Sequence, residues 1–165
     1  MNNDEHWMTL ALEEAACASK LGEVPVGAVV VRGGEVIGRA HNRKEIDRDP
    51  LAHAELLALR QAAREVGDWR LLFCTVYVTL EPCAMCAGAL VNSRIERVVF
   101  AAEDPKAGYC GSLGNIVQDS RLNHRTRLSA GVLRAQSAEM LGEFFAALRQ
   151  RGKKSSGLAV EAGLL

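Results

Sequence analysis

No apolar run in the 165-residue chain reaches the roughly 18 residues that a membrane span needs, so an integral membrane protein is not the expected reading. An excess of either charge is missing too, with 20 Lys+Arg against 20 Asp+Glu, and zero net charge alone argues against a general nucleic-acid binder. The opening Met1-Asn2-Asn3-Asp4-Glu5 lacks the basic and apolar regions of a secretory signal, so the cytoplasm is the expected compartment. Cysteines number five, an odd count, and most fall inside apolar runs. A disulfide framework is therefore not expected, and Cys17 and Cys74 read as small buried hydrophobes. There is no internal repeat.

A hydrophobic content of 48% and a charged content of 24% describe an ordinary globular chain. At this length one domain is expected, burying about two-thirds of its unfolded surface. The charge is unevenly spread. Residues 1–69 hold 8 Lys+Arg against 12 Asp+Glu, a net of −4, while residues 121–154 hold 8 Lys+Arg against Glu139 and Glu143, a net of +6. A basic C-terminal third suits a phosphate-facing surface, though a solvated helix face is the plainer reading.

Along the chain, helical spacing of Trp7, Leu10, Ala11, Ala15 and Ala18 predicts a helix over about 4–20, with Asp4 as its cap. Gly27-Ala28-Val29-Val30-Val31 reads as a buried strand, turned by Gly33-Gly34 into a second strand over 35–40. Pro50 is expected to open a helix over 51–65, carrying His53 and Glu55 in its first turn. Cys74 to Leu80 is β-rich and ends directly at Glu81-Pro82, where a second short helix to about Asn92 is expected. Strands over 97–102 and, more weakly, 127–129 follow, and a helix over about 136–150 closes the domain. The loop 103–125 between them is long enough to be functional, and a short helix near Gly114-Asn115-Ile116-Val117 is compatible with it. The domain is expected to span 1–151, with 152–165 a loose, flexible tail. Alternation of helices with apolar strands signals an α/β layered fold.

The chemistry concentrates in His53-Ala54-Glu55 and Pro82-Cys83-Ala84-Met85-Cys86. Cysteines at i and i+3 share one side of a helical turn, and a helix N-terminus favours the thiolate form that binds metal. One imidazole and two thiols suit Zn²⁺, and three ligands instead of four point to a catalytic ion with an open position. Glu55 would then stand beside the bound water. Alone, His53 and Glu55 read more readily as a buried histidine and an exposed glutamate, and a lone Cys-x-x-Cys as a redox pair or half of a structural zinc site. A structural four-ligand site would need His6, Cys17, His41, Cys74, Cys110 or His124, none of which is paired at ligand spacing.

The pattern His-x-Glu followed by Pro-Cys-x-x-Cys is the signature of zinc nucleobase deaminases, and the chain matches every fixed position. Over residues 4 to 151 it further resembles the bacterial tRNA-specific adenosine deaminases, through Gly22-Glu23-Val24-Pro25-Val26-Gly27-Ala28, Ala40-His41-Asn42, Asp104-Pro105-Lys106, Gly111-Ser112-Leu113, Asn123-His124-Arg125 and Phe144-Phe145. The resemblance implies a cytidine-deaminase-like α/β/α fold with a five-stranded mixed sheet. It also implies a homodimer, one Zn²⁺ per subunit, and conversion of the wobble adenosine of an arginine tRNA anticodon to inosine.

By the same resemblance His53, Cys83 and Cys86 hold zinc, Glu55 shuttles protons and Asn42 contacts the flipped adenosine. Asp104, Lys106, Asn123 and His124 line the anticodon-loop groove with Arg70 at its edge, while Phe144, Phe145 and Arg149 pack on loop bases. Ala84 stands where valine is common in that family, and Ala101 where glycine is usual; both are expected to bear on pocket shape. Two other readings stay open: a deaminase of free bases or nucleosides, and a zinc-stabilised RNA-binding module without turnover.

Overall fold

The computed structural model describes residues 3–161, by backbone alone beyond residue 152. Its five strands, β1 (Gly27–Arg32), β2 (Glu35–His41), β3 (Cys74–Leu80), β4 (Arg97–Ala102) and β5 (Arg127–Ala130), form one sheet in the order β2-β1-β3-β4-β5. The hairpin β1–β2 and the pair β1–β3 are antiparallel, while β3–β4 and β4–β5 are parallel. The sheet is therefore mixed, with β1 alone running against the other four strands.

Alternation along the strands sends side chains to two cores. Ala28, Val30, Val76, Val78, Val98 and Phe100 face the helices α2 (Ala54–Val66) and α3 (Ala84–Asn92). Val29, Val31, Tyr77, Val99 and Ala101 face Met8 and Ala11 of α1 (Asn3–Lys20). The last helix, α4 (Arg134–Glu161), joins α1 on that side, where the Ser137 hydroxyl donates to the Thr79 carbonyl at 2.5 Å. The result is the three-layer α/β/α arrangement. At Gly38 the layers touch without a side chain between them, since a Cβ there would stand 2.4 Å from the Ala58 carbonyl oxygen. That contact fixes α2 against the edge strand β2.

Several local expectations are corrected. The helix expected from Leu51 begins at Ala54, because Asp49 folds the preceding residues into a turn: its carboxylate accepts the Leu51 N–H at 2.8 Å. The cysteine helix begins at Ala84, with Pro82 and Cys83 outside it. No helix forms at 114–117; Asn115 instead bridges to Cys110. The closing helix runs to Glu161 instead of ending near Gln150, since no proline interrupts it, and residues 162–165 of the expected tail lie outside the described residues. Asp4 pairs with Arg97, at 2.8 Å to each guanidinium nitrogen, and accepts the Tyr77 hydroxyl. Cys17 is exposed, because the buried stripe of α1 runs through Met8, Ala11, Ala15 and Ala18 and leaves position 17 on the outer side.

Candidate active site

Two helix starts meet at the Leu80 end of the sheet. His53 is the N-cap of α2 in extended conformation (φ −77°, ψ 148°), and Cys83 is the N-cap of α3 (φ −70°, ψ 174°). An N-cap side chain can fold back over the first turn instead of along the helix flank, which lets residues of separate helices reach one point. Cys86, in the first turn of α3, completes the group: His53 Nδ1 lies 3.5 Å from its Sγ and 3.7 Å from Cys83 Sγ. Donor atoms of all three residues lie within 4.8 Å of one another. Zinc, with Zn–S near 2.3 Å and Zn–N near 2.0 Å, holds tetrahedral N and S donors about 3.6 Å apart. Both the donor set and its spacing therefore fit zinc.

Among the described residues no fourth histidine, cysteine or carboxylate joins the group. The Cys74 thiol is turned toward the Leu72 carbonyl at 3.6 Å. Burial pushes the Cys110 thiol up to about 12. The hydrogen bond shared with Cys86 draws Cys83 down to about 4 against its burial, with the His53 ring assisting, and Cys86 is raised by that contact and by burial. Metal binds the thiolate form, so ligation by this pair would release any proton still held on it. Glu55, in the first turn of α2, is 4% exposed, and burial raises its carboxyl above the ordinary carboxylate value.

These groups border a cavity of about 220 Å³. His53, Ala54, Glu55 and Cys83 form one wall, Val24, Val26, Asn42 and Lys44 another, and Leu80, Glu81, Asp104 and Ala107 the rest. The Asn42 amide is oriented from behind: its Nδ2 donates to Glu23 Oε2 at 3.4 Å and to the Val24 carbonyl at 3.3 Å, and its Oδ1 accepts the Lys44 N–H at 3.2 Å. Glu23, buried itself, also accepts the Ile46 N–H at 2.7 Å and so ties down the 43–50 loop.

Glu81 does the same for the loop after β4. Its carboxylate accepts the backbone N–H groups of Asp104 (2.9 Å), Cys110 (3.0 Å) and Ser112 (2.9 Å), and the Ser112 hydroxyl. Burial opposes ionisation of Glu81, but these donors outweigh it and hold the carboxyl below its usual value. Gly108 passes so close that a Cβ would stand 2.3 Å from the Glu81 carboxyl carbon. Neither Glu23 nor Glu81 stands out as functional in the sequence. The available signal is a carboxylate set in an apolar stretch beside a proline.

Of the residues expected to touch substrate, the structure brings Asn42 and Asp104 to the cavity. The Asp104 carboxylate also accepts the Lys106 N–H at 3.0 Å, and Lys106 is exposed on the same turn. Phe144 lines a neighbouring groove with Lys20, Leu21 and Arg151, meeting Phe145 edge-on at 5.4 Å between ring centroids; Arg149 is exposed on the same helix. Arg70, Asn123 and His124 lie at the other end of the sheet. There Arg70 stacks on Trp69 at 4.2 Å, Asn123 is exposed, and His124 Nε2 lies 2.7 Å from the Ile95 carbonyl oxygen just before β4. Ala84 is exposed and Ala101 is buried in the α1-side core, so neither lines the cavity.

The family model of the MafB19-like deaminases matches residues 2–149. The tRNA-specific adenosine deaminase of Bacillus subtilis (strain 168) is 50% identical over 153 residues, covering 93% of this chain and 95% of that protein. A structure from studies of A-to-I editing by tRNA:A34 deaminases at the wobble position superposes with a TM-score of 0.79 at 41% identity, covering 82% of this chain and 98% of the other. A guanine deaminase from Nitrosomonas europaea superposes at 0.76 with 25% identity, covering 86% of this chain and 84% of its own. Matched by the family model and by these relatives over nearly all of its length, the chain belongs to the MafB19-like deaminases and, among them, to the tRNA-specific adenosine deaminases.

Proposed function

We propose that the protein converts the wobble adenosine in the anticodon of an arginine tRNA to inosine by zinc-dependent hydrolysis. The observation that carries this reading is the convergence of His53, Cys83 and Cys86 beside the buried carboxylate of Glu55, in a cavity that Asn42 also lines. His53, Cys83 and Cys86 would hold one Zn²⁺ per subunit, which supplies the Lewis acidity that makes water a nucleophile near neutral pH.

The remaining steps belong to this chain's own groups. The Glu55 carboxylate accepts a proton from the attacking water and delivers it to the adenine ring nitrogen next to the reacting carbon. A second transfer through Glu55 protonates the amino group, which leaves as ammonia while the ring carbon keeps the oxygen. Water is consumed and ammonia released, with no change of oxidation state. Asn42 is placed to hold the base or its sugar, its amide fixed by Glu23 and the Val24 carbonyl. Asp104 and Lys106 on the cavity turn, and Phe144, Phe145 and Arg149 on α4, are proposed contacts for the neighbouring nucleotides, with aromatic faces stacking on splayed bases.

The homodimer is likewise a proposal. An apolar groove of about 510 Å³ runs over the outer face of α2 and α3, lined by Leu51, Leu56, Leu59 and Trp69, with Leu51 56% and Trp69 53% exposed. A second copy covering it would shield that surface from water. Arg70, Asn123 and His124 would serve the RNA bound by that copy. The domain is proposed to span 1–151. Among the described residues no helix is long and apolar enough to cross a membrane, and the proposed tRNA substrate supports a cytoplasmic location.

Likeness to a guanine deaminase supports a second reading, a deaminase acting on free bases. One assay separates them. Zinc-loaded protein should form inosine in an arginine tRNA anticodon stem-loop carrying adenosine, and Glu55→Ala should keep zinc while losing activity by 100-fold or more, roughly what general acid–base catalysis supplies. Ammonia from guanine with none from the stem-loop would replace this reading by the second. An active Glu55→Ala variant would remove the assigned role of Glu55.

A further inference from the structure

Neighbouring residues of the loop after β2 line two different hollows. Lys44 lines the cavity itself, whereas Arg43 lines a second groove of about 320 Å³ between β2, an edge strand of the sheet, and α2. Arg39, Arg60 and Arg64 complete the cationic part of that groove, with His41, Gln61, Glu14 and Asp47 beside them. Arg39 is engaged by Glu13 and Glu14, and Arg43 by Asp47. Among the described residues Arg60 and Arg64 have no carboxylate within ion-pairing distance.

Arg60 and Arg64 stand one turn apart, about 6 Å along the helix axis, on the face that Leu57 and Gln61 share. Like charges at that spacing repel. No acidic residue lies three or four positions from Arg60, and Asp68, four positions beyond Arg64, is occupied by Arg70 at 3.6 Å. This uncompensated pair sits within residues 1–69, whose net charge is −4. His41, also lining the groove, has its Nδ1 held by Glu14 at 2.8 Å. Its Nε2 is the one buried side-chain polar atom among the described residues without a partner. A helix that presents two exposed guanidinium groups without carboxylate partners on one face is arranged for an anion from outside the chain.

We propose that this groove is a phosphate track, in which Arg43, Arg60 and Arg64 receive backbone phosphates of the RNA strand on one side of the nucleotide held in the cavity. The proposal rests on the tRNA reading above and deepens it by naming where the strand goes. Adjacent residues Lys44 and Arg43 divide the strand between cavity and groove. Guanidinium groups match phosphate oxygens two at a time, and such contacts set register and affinity without reading sequence.

The test uses the zinc-loaded full chain and a fluorescein-labelled arginine tRNA anticodon stem-loop, with Kd read by anisotropy across about 0.05 to 0.3 M KCl. Arg64→Gln should weaken binding about five-fold at 0.15 M salt and lower the slope of log Kd against log salt by about 0.7 to 0.9. Arg60→Gln/Arg64→Gln should change the slope by roughly twice that, and Arg64→Lys, which keeps the charge, should restore it. Inosine formation on the same RNA should fall through KM and not through kcat. A double variant with the wild-type Kd and salt slope overturns the track, as does a wild type that does not bind the RNA. If the wild type binds the stem-loop but forms no inosine, the function reading fails, and the salt slopes still decide the groove.

Discussion

Replacing Glu81 by glutamine changes no volume, yet it should be among the most damaging single substitutions at the site. The carboxylate is 2% exposed and accepts four hydrogen bonds, from three backbone N–H groups and the Ser112 hydroxyl. A glutamine oxygen can keep the Cys110 and Ser112 amides that now meet Oε1, but its NH₂ would then point at the Asp104 N–H, donor against donor. Hydrogen bonds to a charged group contribute about 1.5 to 3 kcal/mol each, and a buried donor left unpaired costs about 1 to 3 kcal/mol. The Ser112 hydroxyl can rotate and accept from the new NH₂ group, so its bond is weakened and not lost. Glu81→Gln should therefore cost about 3 to 5 kcal/mol in urea unfolding, and hydrogen exchange should quicken first at Asp104, Cys110 and Ser112. Activity should fall as well, because Asp104 lines the cavity from the released loop. A variant of wild-type stability with unchanged protection at those amides would refute the account of Glu81 as the anchor of this loop.

Removal of metal by a chelator should abolish deamination and lower the unfolding temperature, with both restored by Zn²⁺; at free zinc 1,000-fold above its Kd the restored stability is about 4 kcal/mol, and activity that survives chelation would contradict the site. Gly38→Ala should destabilise by about 1 to 3 kcal/mol in a denaturant titration, because the added carbon meets backbone that cannot rotate away. Asp4→Asn should cost about 1 to 3 kcal/mol at neutral pH. Its pairing with Arg97 lowers the Asp4 pKa from 3.8, so the difference from wild type should be full above about pH 4 and vanish as pH falls through the lowered folded value. A gap that persists in acid would show that packing, not charge, underlies it.

The strands were legible because their apolar runs are dense and bounded by turns, and Val29-Val30-Val31 needed nothing more. The convergence of His53, Cys83 and Cys86 was legible because metal chemistry restricts residue type and spacing together. Helix starts were less so: His53 and Cys83 read as first-turn residues, and they are caps. That difference hangs on one Asp49 side chain turning the chain before α2, a contact no periodicity records. Glu23 and Glu81 escaped notice because their partners are backbone amides of remote loops, and an amide leaves no mark in residue identity. Cys17 misled because composition favours burial of cysteine, whereas position on the helix decides it. Arg60 and Arg64 carry no signal of their own in the sequence, and only the fold sets Arg43 and His41 beside them.

The two caps have a consequence for how the molecule comes apart. His53 belongs to the hairpin-and-helix unit formed by β1, β2 and α2, and Cys83 and Cys86 to the β3–α3–β4 crossover. An ion shared between them would be a rivet across two parts of the fold that otherwise meet through the sheet. Its loss would leave each unit's own hydrogen bonds in place while freeing one to hinge against the other. The first opening of the metal-free chain would then be a parting of units at the substrate mouth, well short of global unfolding, and the ion proposed for the chemistry would also keep that mouth the right width.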